Sequence, residues 1–189
     1  MDNISVYCDN CYVRNAIISI LGDVKNNSPH NGDLGVFLFE KNWLHETELA
    51  MILNCNAEKV IIFARETLLG FFASLVFPEH ISFGRFDDEL TSMRKVLFEF
   101  INPPLRGLFF QRRQCIAKTT LTPNERKITS LYVQGGSVMH IAKSLNKNFK
   151  TISSHKRSAM KKMGISSDAE LMHMGRIFLM MNKELLRAS

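Results

Sequence analysis

The stretch "KTISSHKRSAMKKMGI", Lys150 to Ile165, sets basic and hydroxylic side chains around a thin apolar stripe. Wound as a helix, it places Ile152, Ala159, Met160 and Met163 on one side, while Ser153, Ser154, Arg157 and Lys161 can share the opposite face. Six Lys/Arg and no acid lie between Asn146 and Lys162. Serine and arginine are side chains that reach base edges in a DNA major groove, arginine through a bidentate bond to guanine. The helix N-terminus adds a positive end suited to a phosphate. A basic helix face is more commonly just solvated, so the surrounding elements must decide.

No competing chemistry is visible. Cys8-x-x-Cys11 falls at a strand end with neither a second such pair nor a nearby histidine set, so core or loop cysteines are expected. Cys55 and Cys115 complete a set of four too sparse for a disulfide framework in 189 residues. His140, His155 and His173 do not stand at zinc-binding spacing, and no GxSxG, P-loop or GxGxxG occurs. No enzyme, metal or cofactor is expected. Neither a signal peptide nor a membrane span is visible, which gives a soluble, cytoplasmic and nucleoid-associated expectation.

Charge divides the chain. Residues 1–116 hold 11 Lys/Arg against 14 Asp/Glu, a net of −3, and residues 117–189 hold 13 against 4, a net of +9. A basic unit behind a slightly acidic one points to a polyanion as the partner of the second. In the first unit, "ISVYC" (Ile4–Cys8), "LGVFLF" (Leu34–Phe39), "KVIIF" (Lys59–Phe63) and "HISF" (His80–Phe83) predict buried strands. Helical patterns lie between and after them, at Tyr12–Leu21, His45–Leu53, Leu68–Leu75 and Glu89–Ile101. That alternation predicts a parallel α/β sheet, with Gly22–Asp33 as a polar loop. The boundaries are an α/β domain over 1–101, a linker over 102–120 and an all-α domain over 121–189.

The second unit is written in helix caps. Thr122-Pro123-Asn124-Glu125 has capping-box form and starts a helix that Gly135-Gly136 stops. Ser137 caps a short helix, Val138–Leu145. Asn148 caps a third that carries the opening stretch to Met163, and Ser166 or Ser167 caps a fourth, to about Leu186. This is a helix-turn-helix layout of four helices.

Leu121 to Leu171 resembles the LuxR/FixJ-type DNA-binding domain over its whole length. The shared residues are Leu121-Thr122, Glu125, Gly136-Ser137, Ile141-Ala142, Leu145, Thr151-Ile152, His155, Lys162-Met163-Gly164-Ile165 and Glu170-Leu171. Gly136 directly before Ser137, and His140 where an acid is common, are small departures. The opening stretch is most similar to the recognition helix of Rcs-type (capsule-synthesis) response regulators and their auxiliary partners. The resemblance implies base contacts by Ser153, Ser154 and Arg157. It implies phosphate contacts by Lys150, Thr151, Lys156 and Lys161, with Thr151 also steadying the helix start. It makes His155 a buried residue hydrogen-bonded between helices.

In such regulators a receiver domain commonly comes first, and residues 1–101 resemble one without its chemistry. A receiver needs an acidic pair after its first strand for Mg²⁺, a phosphate-accepting aspartate after its third, a hydroxyl after its fourth and a lysine after its fifth. At those positions stand a lone Asp9, then Glu40, Ala64 and Gly84. Glu40 marks the degenerate phosphoacceptor position and is expected to be a solvated strand-end acid, and Asp9 remains from the acidic pocket. The expected fold class is therefore a degenerate receiver-like doubly wound parallel sheet joined to a four-helix LuxR-type domain.

The expected function is sequence-specific, phosphorylation-independent transcription regulation. Its expected partners are double-stranded DNA, a second copy or an Rcs-type response regulator, and RNA polymerase. Leu68–Phe77 and Met93–Phe100 are the candidate dimerisation segments, against the simpler reading of their phenylalanines as core. Two alternatives stand: a co-regulator that titrates a response regulator without reading DNA, and a small-molecule-sensing LuxR-type regulator.

Overall fold

A computed structural model describes residues 4–26, 32–75, 77–78, 80–86, 89–102 and 121–188, with side chains to residue 181. Most of the linker over 102–120, together with Cys115, lies outside the described residues.

Four parallel strands, β1 (Ile4–Cys8), β2 (Leu34–Phe39), β3 (Lys59–Ala64) and β4 (Ile81–Arg85), form one sheet in the order β1-β2-β3-β4. β2 is buried throughout and β3 almost so, as expected of interior strands covered on both faces. α1 (Cys11–Asn26) and α4 (Leu90–Ile101) cover the face carrying Leu34, Val36, Leu38, Ile61 and Phe63. α2 (Glu46–Leu53) and α3 (Glu66–Ala73) cover the face carrying Phe37, Phe39, Val60, Ile62 and Ala64. The strands sit within two residues of their predicted ends. The helices match less closely: Gly22–Asn26, expected as loop, continues α1. Val24 extends the buried stripe of Ile17 and Leu21, and Gly22 faces open space, so the apolar spacing outweighs glycine's cost of ~1 kcal/mol.

Helices cover both faces, but the strand order differs from a flavodoxin-like sheet, which places its second strand outside its first. Here every connection steps the same way across the sheet, so the hand of each crossover depends only on the face its helix takes. α1 takes the face opposite α2 and α3. The β1–α1–β2 connection therefore has the opposite hand to β2–α2–β3 and β3–α3–β4. The short stretch between α1 and β2 leaves no room for the extra strand and helix that a flavodoxin-like sheet carries there. Consecutive connections still leave β1 and β2 on opposite faces, and a crevice opens at their C-terminal ends.

The second domain has α5 (Pro123–Val133), α6 (Val138–Ser144), α7 (Phe149–Lys162) and α8 (Asp168–Ala188). Ile128, Ile141, Ala142 and Ile152 form its own small core. Its other apolar side joins the α2–α3 layer, with Met163, Leu171, Met174 and Phe178 in one continuous cluster with Leu44, Leu68 and Leu69. The Leu44 amide donates to Met174 Sδ at 3.5 Å, and the His45 and His173 rings meet edge-on at 5.8 Å.

This packing corrects the dimerisation expectation for Leu68–Phe77. Leu68, Leu69, Phe71, Phe72 and Leu75 are all core residues, because α3 is covered by the sheet and by the second domain. α4 retains exposed Leu90 and Phe98.

Gly164 makes the close approach possible. Its φ is +68°, and a Cβ there would stand 2.6 Å from the Thr67 carbonyl oxygen at the start of α3. Gly164→Ala is expected to cost ~1–2 kcal/mol from backbone strain, plus the displacement of α3 from α7. Urea unfolding checks the cost, and faster proteolysis between the domains checks the displacement.

Candidate nucleic-acid interface

The caps that define the helix-turn-helix form as the sequence predicts. The Thr122 hydroxyl accepts the Glu125 amide at 3.3 Å, and Glu125 Oε2 accepts the Thr122 amide at 2.7 Å. Gly135, at φ +97°, ends α5 with the Gly136 amide on the Leu131 carbonyl at 3.0 Å. The Ser137 hydroxyl caps α6 through the His140 amide at 3.1 Å. Asn146, at φ +48°, turns the chain into α7, which the Asn148 side chain caps by accepting the Lys150 amide at 2.8 Å. Ser167, rather than Ser166, accepts the Glu170 amide at 3.2 Å to start α8, and Glu170 accepts both serine amides in return.

α7 therefore presents a defined outer face. Lys150, Thr151, Ser154, Arg157 and Lys161 are exposed and Ser153 is half-buried. Among the described residues the Arg157 Nε reaches only the Ser153 carbonyl, at a marginal 3.5 Å, so its guanidinium can swing outward. The docked first domain leaves this face open. Of the proposed contact residues, the structure brings together Ser153, Ser154, Arg157, Lys150, Thr151 and Lys161.

Lys156 is a correction. It keeps 9% of its surface exposed, donates to Asp168 Oδ1 at 2.7 Å and lies 4.5 Å from the Tyr132 ring centre. Its spacing puts it on the side of Ile152 and Ala159, turned away from the outer face. The Tyr132 hydroxyl donates to Asp168 Oδ2 at 3.1 Å, so Lys156 ties three helices together. The Lys156 hydrogen bond, supported by Tyr132, holds the Asp168 carboxyl below its ordinary range. Lys156→Ala is expected to destabilise the protein by ~1–2 kcal/mol while leaving the salt dependence of DNA binding unchanged. Lys150→Ala is expected to lower that slope by about one. A matching drop in the Lys156 variant would restore it as a phosphate ligand. His155 is also corrected: it is half-buried, and among the described residues no hydrogen bond joins it to another helix.

The sequence reading also passes over the second role of Glu125. Beyond its cap, Oε1 accepts the Ser158 hydroxyl at 2.7 Å and Oε2 accepts Lys162 Nζ at 2.8 Å, fastening α5 to the back of α7. Burial alone would raise its pKa, but the bonds from Lys162, Ser158 and Thr122 outweigh it and pull it down to about 2. The i, i+4 spacing of Ser158 and Lys162 is the sequence signal that could have suggested a shared partner; nothing local pointed to Asp168.

At the crevice beyond β1 and β2, Lys41 Nζ bridges Asp9 Oδ2 at 3.0 Å and Glu48 Oε1 at 2.8 Å. The bonds to Glu48 and Asp9 raise its pKa, so the ammonium stays charged. Glu40 is not the solvated acid the sequence suggested. It is half-buried, with Oε1 inaccessible and unpartnered among the described residues, in a recess shared with Asp9, Asn10, Leu38 and Lys41. A Cβ on Gly84 would run into the Phe63 ring, which leaves no room for a lysine there. These residues do not fit Mg²⁺ and an added phosphoryl group: the Lys41 ammonium already stands between Asp9 and Glu48, and Ala64 offers no hydroxyl.

Residues 119–175 carry the signature of bacterial regulatory proteins of the luxR family. Residues 119–175 thus form a LuxR-family helix-turn-helix domain, set behind a parallel α/β domain. Among curated proteins, the transcriptional activator BglJ of Escherichia coli K12 is 45% identical over 62 residues, covering 33% of this chain and 28% of BglJ. The transcriptional regulatory protein RcsB of Escherichia coli K12 is 45% identical over 53 residues, covering 28% of this chain and 24% of RcsB. The matched regions therefore span about a quarter of these relatives' length.

Likeness in fold extends further. A structure of two RcsB dimers bound to two parallel DNAs superposes with a TM-score of 0.54 at 20% identity, covering 90% of this chain and 96% of that one. RcsB from Salmonella enterica serovar Typhimurium, bound to a promoter, gives 0.51 at 20% identity, covering 92% of this chain and 97% of that one. The two-domain fold is that of these RcsB structures. No helix among the described residues is long and apolar enough to cross a membrane.

Proposed function

We propose that this protein is a sequence-specific, DNA-binding transcription regulator that works without phosphorylation and without an enzymatic step. The carrying observation is the exposed face of α7, where Lys150, Ser154, Arg157 and Lys161 stand outward on a capped helix of a LuxR-family domain. Ser153, Ser154 and Arg157 read base edges, and Lys150, Thr151 and Lys161 meet phosphates. Ala64 and Gly84 support independence from phosphorylation, since each lacks a side chain that acyl-phosphate chemistry needs, and Lys41 holds Asp9, the acid that would meet Mg²⁺.

A single helix-turn-helix reads one half-site, so the active unit is a dimer. The partner is a second copy or an RcsB-type response regulator, with exposed Leu90 and Phe98 of α4 offering a contact face. Contact with RNA polymerase at the promoter, and a place on the nucleoid, complete the proposal.

Fluorescence anisotropy on promoter fragments of the source genome tests it, at several salt concentrations, with and without the organism's RcsB-type regulator. Selective, salt-sensitive binding by the protein alone makes it autonomous. Selectivity only in the mixture makes it an auxiliary subunit. Absence of selective binding in both overturns DNA reading. Beryllofluoride is expected to change neither result through this chain.

A further inference from the structure

Of the exposed residues of α7, Phe149 is the apolar one: the others are Lys150, Thr151, Ser154, Arg157 and Lys161. It leaves 51% of its surface accessible and lies outside the small core formed by Ile128, Ile141, Ala142 and Ile152. A single exposed apolar side chain is ordinary on a protein surface, so its exposure alone assigns nothing. Its position does more. Phe149 is the first residue of α7, immediately after the Asn148 cap, so its backbone is held in the first helical turn. The N-terminal residues of a recognition helix are those that come against base edges. Exposed Lys147 and Lys150 flank it in sequence with charges suited to phosphates, and Ser153 lies one turn further along its side.

The major groove offers one apolar feature of sequence, the 5-methyl group of thymine, and phenylalanine is among the side chains that contact it. We infer that Phe149 is a specificity-determining residue that packs against a thymine methyl in the half-site this chain contacts. This rests on the DNA-reading function proposed above. Phe149 adds a shape contact to a face otherwise made of hydrogen-bond donors and acceptors, and distinguishes thymine from cytosine at one position.

The test uses the full-length protein, with the RcsB-type partner if binding requires it. A preferred duplex is first selected from a randomised pool. Each thymine is then replaced singly by deoxyuridine, which removes only the methyl group, and affinity is read by anisotropy. At one position per half-site contacted by this chain, the wild-type protein is expected to lose ~4-fold in affinity, the worth of one buried methyl group. Phe149→Ala should bind thymine and uridine there equally, and Phe149→Leu should keep most of the discrimination. Lys150→Ala should weaken every duplex alike and leave the ratio intact.

Equal wild-type binding to all uridine duplexes overturns the inference while the DNA-reading function stands. So does unchanged discrimination in Phe149→Ala. Loss of dimer or partner formation in Phe149→Ala, with discrimination kept, makes Phe149 a protein contact instead. Failure of the pool to yield any preferred duplex overturns both this inference and the function beneath it.

Discussion

Replacing Arg157 by alanine is expected to weaken binding to the preferred DNA site by ~10–100-fold, and to weaken binding to unrelated DNA far less. A bidentate arginine–guanine contact contributes about 1–3 kcal/mol of discrimination, whereas a phosphate contact contributes almost equally at every sequence. Arg157 is placed for the first role. It stands on the outer face of α7 with Ser153 and Ser154 on the neighbouring turn, and its own hydrogen bond within the helix is marginal. Its side chain contributes little to the fold, so Arg157→Ala should unfold at the wild-type urea midpoint. Arg157→Lys should restore part of the affinity but little of the selectivity, since an ammonium lacks the planar fork. Equal losses on preferred and random duplexes would make Arg157 a phosphate ligand. Unchanged promoter regulation by Arg157→Ala would favour a regulator that works by titrating its partner.

The second large effect concerns stability. Glu125→Gln is expected to destabilise the protein by ~3 kcal/mol at pH 7, from the displacement of the Glu125 pKa to about 2 against an ordinary 4.5. Glu125 is 4% exposed, so solvent screens its bonds little, although Lys162 remains partly accessible. The folded-state pKa lies below the unfolded one, so this stabilisation is fully present above pH ~4.5 and fades as pH falls toward ~2. Less than half of it should remain at pH 3. Urea titrations of wild type and Glu125→Gln at pH 7 and pH 3 therefore give a gap that narrows in acid. A gap constant with pH would mean that Glu125 matters for its shape and cap and not for its charge. Glu125 lies behind α7, so the variant's DNA binding should fall through misplacement of the helix, and a preferred duplex in excess should recover part of the stability.

The amino-acid sequence by itself determined the parts that depend on near neighbours. The four strands, the order of helices and the caps at Thr122, Ser137 and Asn148 were legible because hydrophobic period and capping chemistry act within a few residues. The outer face of α7 was legible for the same reason, since residues three and four apart share a side. Tertiary structure alone decided which cations are free. Lys156 and Lys161 look alike in sequence, but Asp168 and Tyr132, from two other helices, close around one and leave the other in solvent. Glu125 similarly reads as a local cap until folding carries Ser158 and Lys162 to it. The receiver-like crevice repeats the pattern. Asp9, Glu40 and Gly84 could each be placed at a strand end, but only packing sets Lys41 between Asp9 and Glu48 and the Phe63 ring over Gly84. Nor did the phenylalanines of α3 reveal their partner, since burial depends on what docks from outside the segment. Phe72 packs on Phe39 and Phe83 of the sheet, while the glycine turn at Gly164 brings the second domain against Thr67 and Gly70 of the same helix.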